Sequence, residues 1–292
     1  MKEITLDSAA LEKLFTLWNL PLPDSRLVLF GLRGCRPIAP AKNWVFTAKV
    51  KPALLDYRHL RCTLGIWDRK NKRIFTALGS TVPHQDNVLT ASRKKGAMKG
   101  RGTNQMEPGY YLDLHKGEHL QGKPMGHAAL RQTGYRFYRR SHHAPPYKLR
   151  DPLFFGNPYD NLHCSWNLDG ESPGFRSSGC LVIAGLPHCP RIQDSSPNLG
   201  AWKIFHDLIY SVPQKNFPFL LLPAAEAGKV LNNARTLSRL CFGSRGKTVK
   251  RLQENLRKEG FYAGSAHGIL DPATYRAWNR AGLSGYGKLM RG

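Results

Sequence analysis

Residues 62–78 read Cys62-Thr63-Leu64-Gly65-Ile66-Trp67-Asp68-Arg69-Lys70-Asn71-Lys72-Arg73-Ile74-Phe75-Thr76-Ala77-Leu78. Two apolar runs flank a charged segment around Asp68-Arg69-Lys70-Asn71, the pattern of a β-hairpin. Further strands are predicted at Leu27-Val28-Leu29-Phe30, bounded by Gly31, and at Tyr110-Tyr111-Leu112 behind the Pro108-Gly109 break. Others fall near Leu162, from Cys180 to Ala184, and from Phe217 to Leu222, where Pro223 stops the run. Helical spacing is rarer: Leu11, Leu14, Phe15 and Trp18 share one face between Ala9 and Asn19, and Trp202 to Tyr210 repeats the pattern. The segment Gln132–Pro158 shows no clean period, and Thr90–Asn104, rich in glycine and lysine, reads as a long loop. The larger part of the chain is therefore expected to be mainly β with flanking helices.

From about Leu240 the texture changes. Val249, Leu252 and Leu256 lie on one helical face, Gly260 stops that helix, and Pro272-Ala273-Thr274 opens another. A chain of 292 residues suits one large core plus one small unit. The expected division is an N-terminal helical segment over 1–24, a large domain over 25–228 and a small all-α domain over 236–286.

The formal charge is +24, from 44 Lys and Arg against 20 Asp and Glu. Such a surface attracts polyanions through its long-range field, which admits nucleic acid, an anionic membrane face or a bacterial envelope. At 41% hydrophobic residues the chain has the means to bury a core, which excludes disorder throughout. No stretch approaches the roughly 20 apolar residues of a membrane span. The start, Met1-Lys2-Glu3-Ile4, is interrupted by Asp7, Glu12 and Lys13 and lacks a signal architecture, so synthesis in the cytoplasm is expected. The six cysteines form no CxxC pair, which disfavours a zinc knuckle.

Chemistry concentrates in Asn161-Leu162-His163-Cys164 and Ser177-Ser178-Gly179-Cys180-Leu181-Val182-Ile183. A cysteine nucleophile needs a base, and a neighbouring glycine lets substrate approach the backbone. Cys180 opens one apolar run and His163 sits in another, so two adjoining strands would bring ring and thiol together. On spacing alone, a buried structural cysteine is the better reading.

Ser177-Ser178-Gly179-Cys180 preceded by His163 resembles the signature of the L,D-transpeptidase family. Glu107-Pro108-Gly109-Tyr110 is similar to that family's Pro-x-Gly-aromatic strand entry, shortened by one residue. The resemblance covers approximately residues 25 to 225 and implies an L,D-transpeptidase-like β-sandwich or barrel with flanking helices. It implies that Cys180 attacks a stem-peptide carbonyl at meso-diaminopimelate to form a thioester, with His163 as base. Ser178 takes the place of a histidine common two positions before the cysteine, and the Gly179 and Cys180 amides form an oxyanion hole. Where most relatives carry an arginine two positions after the cysteine, this chain has Val182, with Arg176 as the candidate substitute. Arg176, Asn161 and Trp166 complete the expected substrate-binding set. No cofactor and no metal are expected.

The C-terminal pattern Leu240, Gly243-Ser244-Arg245-Gly246, Val249, Leu252-Gln253, Leu256, Gly260-Phe261-Tyr262, Gly264, Gly268 and Pro272-Ala273-Thr274 resembles the three-helix peptidoglycan-binding fold. His267-Gly268 stands where that family has Asp-Gly, and Asp271-Pro272 where it has Gly-Pro.

Other clusters have plainer readings. His142-His143 point to opposite faces and read as a solvated loop. His84-Gln85-Asp86 offers two zinc ligands without a third, and a zinc amidase or carboxypeptidase built on it would be sensitive to chelation. His115 and His119 read as a polar turn. Cys164 reads as packing, with a disulfide to Cys180 as the alternative. Tyr135, Phe137 and Tyr138 among Arg136, Arg139 and Arg140 mix aromatic and basic side chains as glycan- or nucleic-acid-binding surfaces do.

The expectation is a peptidoglycan-modifying cysteine enzyme: an L,D-carboxypeptidase or endopeptidase, or an L,D-transpeptidase performing exchange. The departures favour a lytic or antibacterial effector or an endolysin, acting in the periplasm or wall of its own or a target cell. The expected partners are peptidoglycan, a secretion apparatus or holin, and an inhibitor or immunity protein. The alternatives are a non-catalytic wall-binding protein and, behind it, a basic nucleic-acid-binding protein.

Overall fold

The computed structural model describes residues 2–92, 103–141, 143–232 and 238–283. In chain order the first elements are β1 (Ile4–Leu6), α1 (Ser8–Leu17), β2 (Leu27–Arg33), β3 (Cys35–Pro37), β4 (Ala48–Pro52), β5 (Cys62–Asp68), β6 (Arg73–Ser80) and α2 (Gln85–Ser92). Then come β7 (Asn104–Met106), β8 (Gly109–His119), β9 (His127–Gln132), β10 (Arg136–Arg140), β11 (Leu153–Gly156), β12 (Leu162–Cys164) and β13 (Leu181–Ile183). The last are α3 (Gly200–Tyr210), β14 (Asn216–Pro223), α4 (Ala224–Asn232), α5 (Lys247–Lys258) and α6 (Pro272–Leu283). The expected loop at Thr90–Asn104 falls largely on 93–102, outside the described residues.

Eight strands close into a barrel in the order β12-β13-β6-β5-β2-β14-β8-β9. Closure leaves none of these strands with an unpaired edge. The hairpin β5–β6 runs in register from Cys62–Gly79 to Asp68–Arg73. Two ladders are parallel, β14 with β2 and β12 with β13. Alternate side chains fill the inside: Leu27 and Leu29 of β2, Leu64 and Ile66 of β5, Phe217, Phe219 and Leu221 of β14, joined by Trp202, Phe205 and Ile209 of α3. The opposite face of β2, with Val28, Phe30 and Leu32, packs under α1 and α4. A strand covered on both sides reads as one continuous apolar run, as Leu27–Phe30 does.

Residues 1–24 are not a separate helical segment. Asp7 caps α1 by accepting from the Ala10 N–H at 2.7 Å. The apolar face of α1 enters the core, and β1 joins the sheet β1-β4-β3. The aperiodic stretch 132–158 also contains structure, since β10 and β11 form the sheet β11-β10-β7. Arg136 and Arg139 turn inward there, onto Asp113 and Glu107. Charged residues at interior positions hide a two-residue alternation.

At the C-terminus two helices of the expected three lie among the described residues. α5 buries Val249, Leu252 and Leu256 against α6, and Gly260 (φ 75°) ends α5 in the left-handed region that a side chain would strain. The unit is not merely tethered. Its core continues into Phe137 of β10, the Tyr110 N–H donates to the Phe242 carbonyl at 2.8 Å, and the Ser244 hydroxyl donates to the Trp18 carbonyl at 2.6 Å. No described helix is long and apolar enough to cross a membrane.

Gly65 sits opposite Phe30 in the β2–β5 ladder. A Cβ on it would lie 2.2 Å from Phe30 Cζ and 2.5 Å from the Phe75 carbonyl oxygen. Gly65→Ala is therefore expected to destabilise the protein by about 1–3 kcal/mol through overpacking. Urea denaturation would show this, and an unchanged midpoint would contradict the strand packing described.

Candidate active site

The site is assembled where β12 lies parallel to β13. His163 pairs in register with Val182, and the Leu181 N–H donates to the Asn161 carbonyl at 2.8 Å. Cys180 immediately precedes β13, so its thiol emerges beside the His163 ring. The Cys180 sulfur and ring nitrogens of His163 and His119 all lie within 4.8 Å of one another. Cys180 is 8% exposed and His163 2%. Both line a cleft of about 470 Å³, together with His84, Asp86, His119, Trp166, Arg176 and Ser178. Behind the thiol are Leu60, Phe175, Val182 and Ala184.

The turn carrying Cys180 is held from below. Gly179 adopts φ 148°, and a Cβ there would meet the Asp160 carboxylate at 2.5 Å. Asp160 accepts from Asn104 Nδ2 at 3.0 Å, and the Asn104 N–H donates to the Ser178 carbonyl at 3.0 Å. Arg136 donates to the Asp160 carbonyl at 3.2 Å and to Asp113 at 2.8 Å. The Ser177 hydroxyl donates to the Cys180 carbonyl at 2.7 Å and accepts from the Gly179 N–H at 3.2 Å. That last bond corrects one expectation. The Gly179 amide is occupied within the turn and does not point free as an oxyanion donor. Ser178 is exposed on the cleft wall.

His119 was legible only as part of a polar turn, and that reading is overturned. β8 runs on to His119, whose ring stacks on His163 with centroids 4.1 Å apart and planes at 11°. Its Nδ1 lies 3.0 Å from Asn161 Nδ2, while Asn161 Oδ1 accepts from the Gln132 N–H at 3.1 Å. With the amide oxygen committed, the amide nitrogen must donate, so His119 Nδ1 accepts and its proton sits on Nε2. Asn161 is thus a holder of His119 and does not line the cleft expected to take substrate. The strand period could have found His119, since residues 115, 117 and 119 share one face. His115 itself binds Asn216 at 2.5 Å, away from the thiol.

The remaining candidates sort as follows. Arg176 and Trp166 both lie on the cleft, with the guanidinium 4.9 Å from the indole ring. Val182 is fully buried and faces apolar neighbours where an arginine is common in the resembled family. Cys164 and Cys180 are both free thiols. Most of the aromatic-basic run turns inward: Arg136, Phe137, Tyr138 and Arg139 are buried, leaving Tyr135 exposed and Arg140 half-buried. His143 pairs with Asp151 at 2.7 Å, and His142 lies outside the described residues. His84 and Asp86 reach the cleft without joining a metal-ligand group among the described residues.

Among the described residues two donor sets have metal-ligand spacing, His119–His163–Cys180 and His127–His163–Cys164, each within 4.8 Å. In the first, the His119 Nδ1 lone pair is taken by Asn161 and Nε2 bears the proton.

Burial decides the protonation states. It pushes the Cys180 thiol up to about 12, with Asp160 adding to the rise, while the Asn161 N–H and the Arg136 charge act in the opposite direction. Burial likewise holds His163 well below the usual histidine range and His119 at about 4. Asp160 is pushed up to about 7 by burial, against Arg136 and Asn104. The resting pair is a neutral thiol beside a neutral imidazole.

A thiol raised this far gains thiolate only as the pH climbs towards its own range. Alkylation of Cys180 by iodoacetamide at pH 8 is expected to be on the order of 10²–10³-fold slower than for a free cysteine, rising without a plateau beyond pH 9. Asp160→Asn, which removes the adjacent carboxylate, should speed it. A plateau with a midpoint near pH 6 in peptide-mapped labelling would instead reveal a resting ion pair. No family model, curated protein or solved structure matches this chain, so the functional reading rests on the residues and their geometry.

Proposed function

We propose that the chain is a cysteine-dependent peptidoglycan enzyme acting on stem peptides. The single observation that supports it most is a thiol and an imidazole within 4.8 Å at the wall of an open cleft. The sequence resemblance to L,D-transpeptidases names the same two residues. A cleft presenting a guanidinium on an indole at Arg176 and Trp166, with a carboxylate at Asp86, suits a peptide bearing both carboxylates and amines.

In this reading the Cys180 S–H proton passes to His163 as sulfur bonds to the carbonyl carbon. The ring nitrogen closes by about an ångström on substrate binding, as loose resting geometries do. Collapse of the tetrahedral adduct expels the amine, which takes the proton from the imidazolium, and a thioester remains. Water or a second amine then displaces sulfur, giving hydrolysis or exchange. The neutral resting pair delays ionisation until a carbonyl is present. His119, neutral and carrying its proton on Nε2, supplies a donor near the nucleophile. The net charge of +24 favours approach to an anionic envelope. The C-terminal unit, by its own resemblance, is proposed to hold the polymer. Action as a lytic or antibacterial effector or endolysin, with a delivery apparatus and an immunity partner, follows from this proposal.

Digestion of sacculi and purified muropeptides, read by mass spectrometry, tests it. Cys180→Ser is expected to abolish product while leaving wall pelleting intact, and His163→Ala to slow turnover by about 10²–10⁴-fold. EDTA should not lower activity. No product from the unmutated protein would favour a non-catalytic wall binder. Salt-steep DNA binding that survives Cys180→Ala would favour a nucleic-acid role.

A further inference from the structure

Behind the nucleophile the barrel holds a second group of soft donors that the proposed chemistry does not use. Cys164, His127 and His163 are 0%, 1% and 2% exposed, and their donor atoms lie within 4.8 Å of one another. His127 Nδ1 lies 2.8 Å from the Met125 carbonyl, so that nitrogen donates. The lone pair of Nε2 is left facing inward, 3.7 Å from Cys164 Sγ. A backbone carbonyl on the far nitrogen is how metal-binding histidines are commonly oriented. His163 Nδ1 is buried without a hydrogen bond of good geometry, its nearest partner being the Cys164 backbone. Leaving such an atom poorly matched costs up to about 1–3 kcal/mol, and a bound cation would offset that cost. Cys189 reaches the same Met125 carbonyl at 3.8 Å and places another thiol nearby.

We propose that Cys164, His127 and His163 form a buried binding site for a thiophilic divalent cation such as Zn²⁺, and that its occupancy withdraws His163 from Cys180. The second half rests on the reading of Cys180 and His163 as nucleophile and base. Zinc bonds of about 2.0–2.3 Å to nitrogen and sulfur place tetrahedral donors roughly 3.3–3.8 Å apart. The His127–Cys164 separation already fits, and the others close by about an ångström. Binding releases the Cys164 thiol proton to solvent, and thiolate sulfur and two imidazole nitrogens then hold the metal. An imidazole ligated through Nδ1 keeps its proton on Nε2 and cannot accept another from Cys180. The cation therefore silences the thiol without touching it. The set at His119 competes poorly, because ligation through Nε2 would require breaking the Asn161 hydrogen bond.

Cobalt substitution of the full chain tests the site without any turnover assay. One equivalent of Co²⁺ is expected to give a sulfur-to-cobalt charge-transfer band with tetrahedral visible bands, displaced by Zn²⁺. Cys164→Ser and His127→Gln should lose the spectrum, and Cys180→Ser should keep it. Zn²⁺ should raise the melting temperature of the unmutated protein and of Cys180→Ser, but not of Cys164→Ser. It should also slow muropeptide turnover by at least about tenfold, reversed by EDTA and absent in Cys164→Ser. No band in the unmutated protein, or a band that needs Cys180 and survives Cys164→Ser, overturns the site. Unchanged turnover at saturating Zn²⁺ overturns the coupling. Failure of muropeptide turnover alone would remove the enzymatic reading and leave the spectra standing.

Discussion

A parallel ladder of three residue pairs, Leu162–Leu181, His163–Val182 and Cys164–Ile183, sets the geometry on which every functional statement depends. It places His163 on one strand and Cys180 one residue before the next. Because side chains alternate along a strand, a slip of one residue would send His163 into the barrel and Cys164 out. The register is held from both sides. Leu162, Cys164, Leu181 and Ile183 sit in the barrel core, and β6 and β9 flank the pair.

Around that ladder the protein spends hydrogen bonds on the backbone of the nucleophile turn more than on its reactive atoms. Arg136, Asp113, Asp160 and Asn104 form a buried polar floor, and Gly179 leaves room for the Asp160 carboxylate. Buried charge is expensive unless paired, and one Asp113 oxygen and one Arg136 nitrogen remain unmatched. Such a floor fixes the position of Cys180, while burial above all, with Asp160 adding to it and Arg136 acting against it, opposes thiolate. Among the described residues His163 takes part in two donor sets, one facing the cleft and one behind it.

Several features were legible because they rest on local rules. The hairpin at 62–80, the helix faces around Leu11–Phe15 and Val249–Leu256, and the stop at Gly260 follow from periodicity and backbone preference. The Cys180–His163 pair was legible through a local signature. His119 escaped because its partners, Asn161 and His163, are more than forty residues away. Arg136 and Arg139 misled in the same way: beside aromatics in sequence they suggested a basic surface, whereas Asp113 and Glu107, remote in the chain, draw them inside.

By itself the sequence determined the strand-rich character, the placement of its turns and the amphipathic helices, since these depend on side chains within a few positions of one another. Only the tertiary structure decided that β8 delivers a second imidazole, that the Gly179 amide is already bound, and that His127 and Cys164 converge behind His163. Barrel closure makes those decisions by bringing together groups whose chain separation carries no periodic trace. Protonation followed the same rule, because desolvation is set by what surrounds a group in space.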